Sequence, residues 1–197
     1  MTGPLPVPAL RGSTVTLRTH LATDLDPVFE RCLDEDTKRF TTIPLEYTRE
    51  LAEEYLASIM EPSEELISWA IEVGGEYAGT IDLRVLPVDA GAGALGFVTH
   101  PRFRGRGVMS EAVGVVVSHA LDTLGWQLVR WEAHAGNVGS AKAVWRNGFP
   151  VPTFVPDALL ERGAVLDGWI STLRVGMARE PVAPWNQVYA ALAAASA

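Results

Sequence analysis

The chain has 197 residues, 48% of them hydrophobic and 20% charged, with a formal net charge of -8. It is long enough for one domain with a full core and too apolar for a disordered chain. The isoelectric point near 5.0 argues against general nucleic-acid binding, and the single cysteine, Cys32, excludes an internal disulfide and a cysteine-rich zinc site.

Residues 1–12 are Pro-rich and read as an extended arm. The opening "MTGPLPVPALRGS" lacks a basic region followed by an apolar run, so no signal peptide is expected. No run of about 18 uncharged apolar residues occurs anywhere, so no membrane span is expected and a cytoplasmic protein is the default. "TVTLRT" (14–19) alternates apolar and polar as a strand does. "TDLDPVFERCLDED" has helical spacing, with Thr23 as N-cap and acids in the first turn. "IPLEYTRELAEEYLASIM" predicts a second helix from near Thr48. "LISWAIEVGGEYAGTIDLRVLP" predicts two strands about Gly74-Gly75, a hairpin signal, and "GALGFVTH" (93–100) a further strand. A long helix is expected over 108–125, stopped by Gly125. A strand follows over 126–134, then a short helix over 137–148 with Asn137 as cap and Gly148 as terminator. A closing strand is expected over 167–180. The tail, 181–197, is Ala-rich. Its Trp185, Tyr189 and Leu192 fall at helical spacing, so it can dock on the body or on a partner chain, and a homodimer is within its reach. No repeat or composition break divides residues 13–180. The mixed order predicts an α/β fold with a mixed sheet covered by helices.

"HPRFRGRGVMSEA" (100–112) stands out in an acidic chain. Gly105 and Gly107 bracket Arg106 between a strand and a helix. A glycine turn there can aim backbone N–H groups in one direction, and the helix adds its own unpaired amides and its positive dipole end. That combination binds phosphate, and Arg102, Arg104 and Arg106 can attract or pair with phosphate oxygens. A tight turn with solvated arginines would look the same. A Walker A loop requires Gly-Lys-Ser/Thr, which is absent. A dinucleotide fingerprint requires a third glycine where Ser110 stands.

The run Arg102-Phe103-Arg104-Gly105-Arg106-Gly107 fits Arg/Gln-x-x-Gly-x-Gly/Ala and resembles the acetyl-coenzyme A loop of the GNAT acyltransferases. "NVGSAKAVWRNGF" (137–149) is similar to that family's Asn-x-x-Ser/Ala … Gly-Phe segment, in the same order along the chain. The resemblance covers roughly residues 12–180. Its Asn-x-x-Ser variant and the segments "IPLEYTRELAEEYLASI" and "LDGWISTL" look like the branch of ribosomal-protein alanine N-acetyltransferases. It implies a mostly antiparallel, splayed central sheet. It also implies that the loop, Arg102 to Val108, holds the pyrophosphate of acetyl-coenzyme A. Phe97, Val98 and Thr99 on the preceding strand would pair their backbone with the pantetheine arm, and Asn137 would bond the same arm. A splay beside "LVRWEAH" would admit the thioester.

Acetyl transfer to an amine needs a free amine, an oxyanion donor, an acid for the leaving thiolate and aligned substrates; it needs no metal. Many GNAT members place a Tyr acid seven residues after the motif asparagine, where this chain has Val144. Ser140 is the nearest polar candidate. Its hydroxyl can donate to the sulfur directly or through water, or only support its helix. Relatives often carry a Glu base near the position of Ala94, which cannot act. Glu72 and Asp82 on the central hairpin remain, with Glu132 and His134, which alternation places on one face of their strand. His134 carries an imidazole, whose ordinary pKa suits proton transfer near neutrality. A water chain without a dedicated base is a further option. Glu111 reads as a dipole complement, Cys32 as core packing and His100 as a backbone contact with an exposed ring. Trp69 and Trp131 read as core or substrate platform. The four His and one Cys show no metal spacing.

The expected activity is acetyl-coenzyme A-dependent N-acetylation by direct attack of a primary amine, either a protein N-terminus or a small amine. The competing readings are a catalytically silent acyl-coenzyme A-binding module, which would explain the missing Tyr and Glu, and an enzyme that modifies polyamines or aminoglycosides.

Overall fold

Alternation and glycine turns build the sheet that positions everything else. The computed structural model describes residues 3–87 and 91–195; Met1 and Thr2 of the arm and the last two residues of the tail lie outside them. The strands are β1 (Leu10–Arg11), β2 (Thr16–Arg18), β3 (Leu66–Val73), β4 (Glu76–Val85), β5 (Ala92–Thr99), β6 (Leu128–His134), β7 (Thr153–Glu161) and β8 (Ala164–Arg174). The helices are α1 (Leu25–Cys32), α2 (Glu35–Phe40), α3 (Arg49–Met60), α4 (Val108–Ser118), α5 (Val138–Trp145) and α6 (Trp185–Ala195). The described strands form one sheet in the order β1-β2-β3-β4-β5-β6-β8-β7. Among the described strands only β5 and β6 pair in parallel. This is the mixed α/β architecture the sequence predicts, a mostly antiparallel sheet flanked by helices.

The β3–β4 hairpin turns at Gly74 and Gly75, with φ of +60° and +84° that L side chains rarely adopt. On β3, Ile67, Trp69 and Ile71 face the buried side of α4, formed by Val108, Met109, Ala112, Val113, Val116 and Val117. Ala70 faces the other way and packs with Val28 of α1, Ala52 of α3 and Tyr77. Helices α4, α5 and α6 thus cover one face of the sheet, and α1 and α3 cover the opposite face. Trp69 is core rather than platform, with its indole N–H donating to the Pro8 carbonyl at 2.8 Å.

Several expectations are corrected. The stretch from Thr23 is not one helix. A 3-10 turn (Ala22–Asp24) leads into α1, and Asp34 restarts the chain by accepting from the Thr37 amide at 2.9 Å, which caps α2. Thr23 is therefore no cap; Asp24 precedes α1, and its carboxylate accepts from the Leu21 amide and from Arg18. Helix α3 starts after Thr48, near where it was expected, and the Thr48 side chain caps it by accepting from the Leu51 amide. The long helix passes into a wider π turn (His119–Thr123) before Gly125, at φ +70°. The closing strand spans 164–174, not 167–180, and β7 was not foreseen. Pro156 and a register shift between Val155 and Leu159 break the alternation that would have marked it. The tail helix α6 docks on the body: Val188 and Leu192 are buried, and the Trp185 ring packs against Trp145 of α5, tilted by 56° with 5.2 Å between ring centroids.

Glu111 does more than complement a dipole. Its carboxylate accepts from Ser13 Oγ at 3.0 Å, from the Thr14 amide at 2.7 Å and from Thr14 Oγ1, and so pins the turn between β1 and β2 to the first turn of α4. Burial pushes its pKa up, but the hydrogen bonds from Thr14, Ser13 and Val15 outweigh that and lower it from 4.5 to about 2. A folded-state pKa below the unfolded one stabilises at pH values above about 4.5, and the stabilisation is lost as pH falls toward 2. Glu111→Gln is therefore expected to lower the melting temperature at pH 7, with the gap from the parent chain shrinking as the pH approaches 2. An equal gap at both pH values would refute this.

Candidate active site

The parallel pair is the weak seam of the sheet. Strands β5 and β6 pair from Ala92↔Leu128 to Leu95↔Trp131 and no further. Beyond that point β5 stays on β4 as far as Thr99, and β6 stays on β8 as far as His134. The two strands therefore diverge from Gly96 and Glu132 onward, leaving main-chain edges unpaired inside the sheet.

A groove of about 390 Å³ reaches this fork from the α4–α5 face. Its lining includes Phe97, Val98 and Thr99 at the open edge of β5, then Phe103, Arg104, Gly105, Gly107 and Val108, then Asn137 and Ser140. The loop is shaped by Gly105 and Gly107 at φ +73° and +81°. A Cβ built at either glycine meets nothing within 4 Å, so the backbone is bare toward open space. Gly107 is the N-cap of α4 and brings no side-chain cap, so the first amides of the helix have no intrahelical partner. Those amides and the helix dipole fit a pyrophosphate.

The three loop arginines differ. The Arg104 guanidinium donates to Thr37 Oγ1 at 2.9 Å and pairs with Asp34 and Asp36, tying the loop to α2. Arg102 lies beside Glu76 at 3.4 Å, outside the groove lining. Arg106 is also outside the groove lining; it is exposed, lies over the Phe103 ring at 5.2 Å, and has no acidic partner among the described residues. Sequence reasoning missed two further cations of the groove, Lys142 and Arg146 on and after α5. Their spacing with Asn137 and Ser140 on one short helix was the available signal. His100 is corrected: its ring is fully buried, with Nδ1 accepting from the Arg102 amide at 3.3 Å.

Asn137 caps α5, its Oδ1 accepting from the Ser140 amide at 3.1 Å. Ser140 Oγ accepts from the indole N–H of buried Trp131 at 3.0 Å. One lone pair is thereby occupied, and the hydroxyl keeps its proton to donate. Val144, at the position of the family's Tyr, is buried.

From the α1–α3 face a second cavity, about 330 Å³, reaches the same fork. It shares Phe97, Val98, Asn137 and Ser140 with the first groove. Asp82 is paired across from Gly96, where the fork opens, and its carboxylate lies over that glycine: a Cβ there would sit 2.6 Å from Oδ1. Oδ1 is buried without a hydrogen-bond partner, and burial raises the Asp82 pKa against the opposing pull of Arg84 and Arg31. His134 lines the cavity with Nε2 at 2.8 Å from Glu161 Oε1; both side chains are about a tenth exposed. Glu132 also lines the cavity but is exposed and paired with Arg130 at 3.1 Å. Glu72 is not brought here: it pairs with Arg18 at 2.7 Å. Glu161 was missed because its strand was missed. Among the described residues no group of His, Cys, Asp or Glu is arranged to hold a metal ion, and no helix is long and apolar enough to cross a membrane.

A sheet forked between two strands, with a bare amide loop on one side and titratable groups on the other, defines an acyl-coenzyme A transferase architecture. The family model described as "Acetyltransferase (GNAT) domain" matches residues 14–150, and the chain belongs to that family of acetyl-coenzyme A-dependent N-acetyltransferases. Among solved structures it is similar to a GCN5-related N-acetyltransferase from Brucella melitensis, with TM-score 0.71 and 21% identity, over 98% of this chain and 88% of that one. It is also similar to the Salmonella typhimurium acetyl transferase that modifies the N-terminal serine of ribosomal protein L7/L12, with TM-score 0.72 and 16% identity, over 86% and 98%. A RimL ribosomal L7/L12 alpha-N-protein acetyltransferase in complex with coenzyme A matches with TM-score 0.73 and 16% identity, over 87% and 98%. No curated protein matches by sequence.

Proposed function

We propose that the chain transfers the acetyl group of acetyl-coenzyme A to a primary amine by direct attack, with the donor entering from the α4–α5 face and the amine from the α1–α3 face. The observation that carries this reading is the fork, where the two cavities meet at Ser140 and Asn137. Acetyl-coenzyme A supplies an activated thioester. The amides around Gly105, Gly107 and Val108 hold its pyrophosphate, with Arg106 and Arg146 adding positive charge. The open edge of β5 at Phe97–Thr99 offers main-chain groups to the pantetheine arm. Ser140, its oxygen already accepting from Trp131, directs its proton toward the leaving sulfur. His134 takes the proton released by the amine, and the Glu161 carboxylate 2.8 Å away favours the imidazolium that forms. Asp82 stands at the fork as a second proton acceptor, since burial raises its pKa and Oδ1 has no hydrogen-bond partner. The acceptor is a protein N-terminus or a small amine.

A free-thiol release assay with acetyl-coenzyme A and a panel of N-terminal peptides, amino acids, polyamines and aminoglycosides tests this. Amine-dependent release is expected, with Ser140→Ala lowering kcat by about tenfold or more while leaving the acetyl-coenzyme A-induced rise in melting temperature intact. A rise in melting temperature without release on any amine would leave a silent binding module instead.

A further inference from the structure

We infer that the acceptor carries a carboxylate as well as its amine, and that Arg31 receives that carboxylate. The inference rests on the acetyltransferase reading above, whose acceptor cavity it populates.

Arg31 projects from α1 onto the wall of that cavity and is 3% exposed. Its guanidinium has five N–H donors. Nη1 donates to Thr80 Oγ1 at 2.9 Å and Nη2 to the Tyr55 hydroxyl at 3.3 Å. Nε is buried and has no partner. Among the described residues no acid forms an ion pair with it; the rings of Tyr55 and Tyr77 lie at 5.6 and 5.8 Å from the charge, and Asp82 feels it only at longer range. The chain treats its other shielded arginines differently. Arg18 has Asp24 and Glu72, Arg104 has Asp34 and Asp36, and Arg179 has Asp122. An arginine cannot shed its proton, and a buried charge without a counter-ion is strongly disfavoured. A counter-ion arriving with the ligand resolves this.

The acids of the same cavity stand elsewhere. Asp82 lies over Gly96, with Arg84 its nearest cation at 3.7 Å, Glu132 is with Arg130 and Glu161 is with His134. The cavity is therefore polarised, cationic at Arg31 and acidic at the fork. A small zwitterion fits that pattern: its carboxylate on Arg31 turns its amine toward the fork. A volume of about 330 Å³ suits a small molecule. The chemical class is an amine bearing its own carboxylate. A free amino acid supplies it, and so does the acidic side chain of a first residue in a peptide.

The test is thiol release by the full chain on free amino acids, their amides and methyl esters, and the matching decarboxylated amines. A second arm compares peptides beginning with Asp or Glu against those beginning with Asn or Gln. The free carboxylate is expected to raise kcat/KM at least tenfold over its amide. The amide's amine is less basic and offers more free base at neutral pH, so the bias runs against this result. Arg31→Gln is expected to abolish the preference and Arg31→Lys to retain part of it. Should the variants not fold, the parent chain still decides, because N-acetylglycine is expected to raise its melting temperature more than N-acetylglycinamide does. Preference in the amino-acid arm or in the acidic-peptide arm supports the inference and identifies the source. Equal turnover of carboxylates and amides overturns it and leaves acetyl transfer standing. Stabilisation by N-acetylglycine alone, with no turnover of any amine, overturns acetyl transfer and leaves the carboxylate site standing. Neither turnover nor stabilisation overturns both.

Discussion

Gly107→Val is expected to abolish the rise in melting temperature produced by acetyl-coenzyme A and to raise its KM by about 100-fold or more, in a chain that still folds. Two effects act together. Gly107 sits at φ +81°, where a β-branched residue is strained by about 1–3 kcal/mol. Its missing Cβ faces open groove, so a valine would also occupy the space through which a phosphate reaches the first amides of α4. Gly125→Val separates the two: Gly125 also has a positive φ, +70°, and open space around it, but it lies outside the groove. It is expected to lose stability with cofactor affinity unchanged. Equal losses of affinity in both variants would show that strain alone is at work.

His134→Ala is expected to lower kcat by about 100-fold at neutral pH, within the usual range for removing a general base, with the KM for acetyl-coenzyme A changed less than twofold. The imidazole stands on the acceptor side of the fork, 2.8 Å from Glu161, and does not line the groove assigned to the donor. Glu161→Gln should give a smaller loss in the same direction, because the imidazole stays while the neighbouring negative charge goes. If both variants keep full kcat and Asp82→Asn loses it, the proton leaves through Asp82 instead.

What the sequence displayed was whatever depends on neighbours along the chain. The Gly74-Gly75 hairpin, the helix start near Thr48, the Asn137 cap and the glycine loop before α4 are local devices, each fixed within a few residues. What it hid depends on the pairing of distant segments. Strand β7 was lost to Pro156 and a bulge, and with it Glu161, the partner of His134. Arg104 looked like a phosphate ligand until α2, itself unforeseen, brought Asp34 and Asp36 to it. His100 looked exposed because nothing in "THPRF" reveals the packing that buries its ring against Phe103. Nothing in the sequence marks Arg31, because the absence of an ion-pair partner is visible only in three dimensions.

The fork also divides inheritance. Because the sheet keeps its hydrogen bonds up to Leu95↔Trp131 and lets go beyond, the proposed donor groove and the proposed acceptor cavity meet at Asn137 and Ser140 but are otherwise walled by different helices, α4 and α5 on one side and α1 and α3 on the other. Substitutions on α1 and α3 can retune the choice of amine while the glycine loop and α5 stay untouched, and the reverse holds as well. A chain built this way can drift from one acceptor to another through a series of single changes, none of which first has to dismantle the grip on acetyl-coenzyme A.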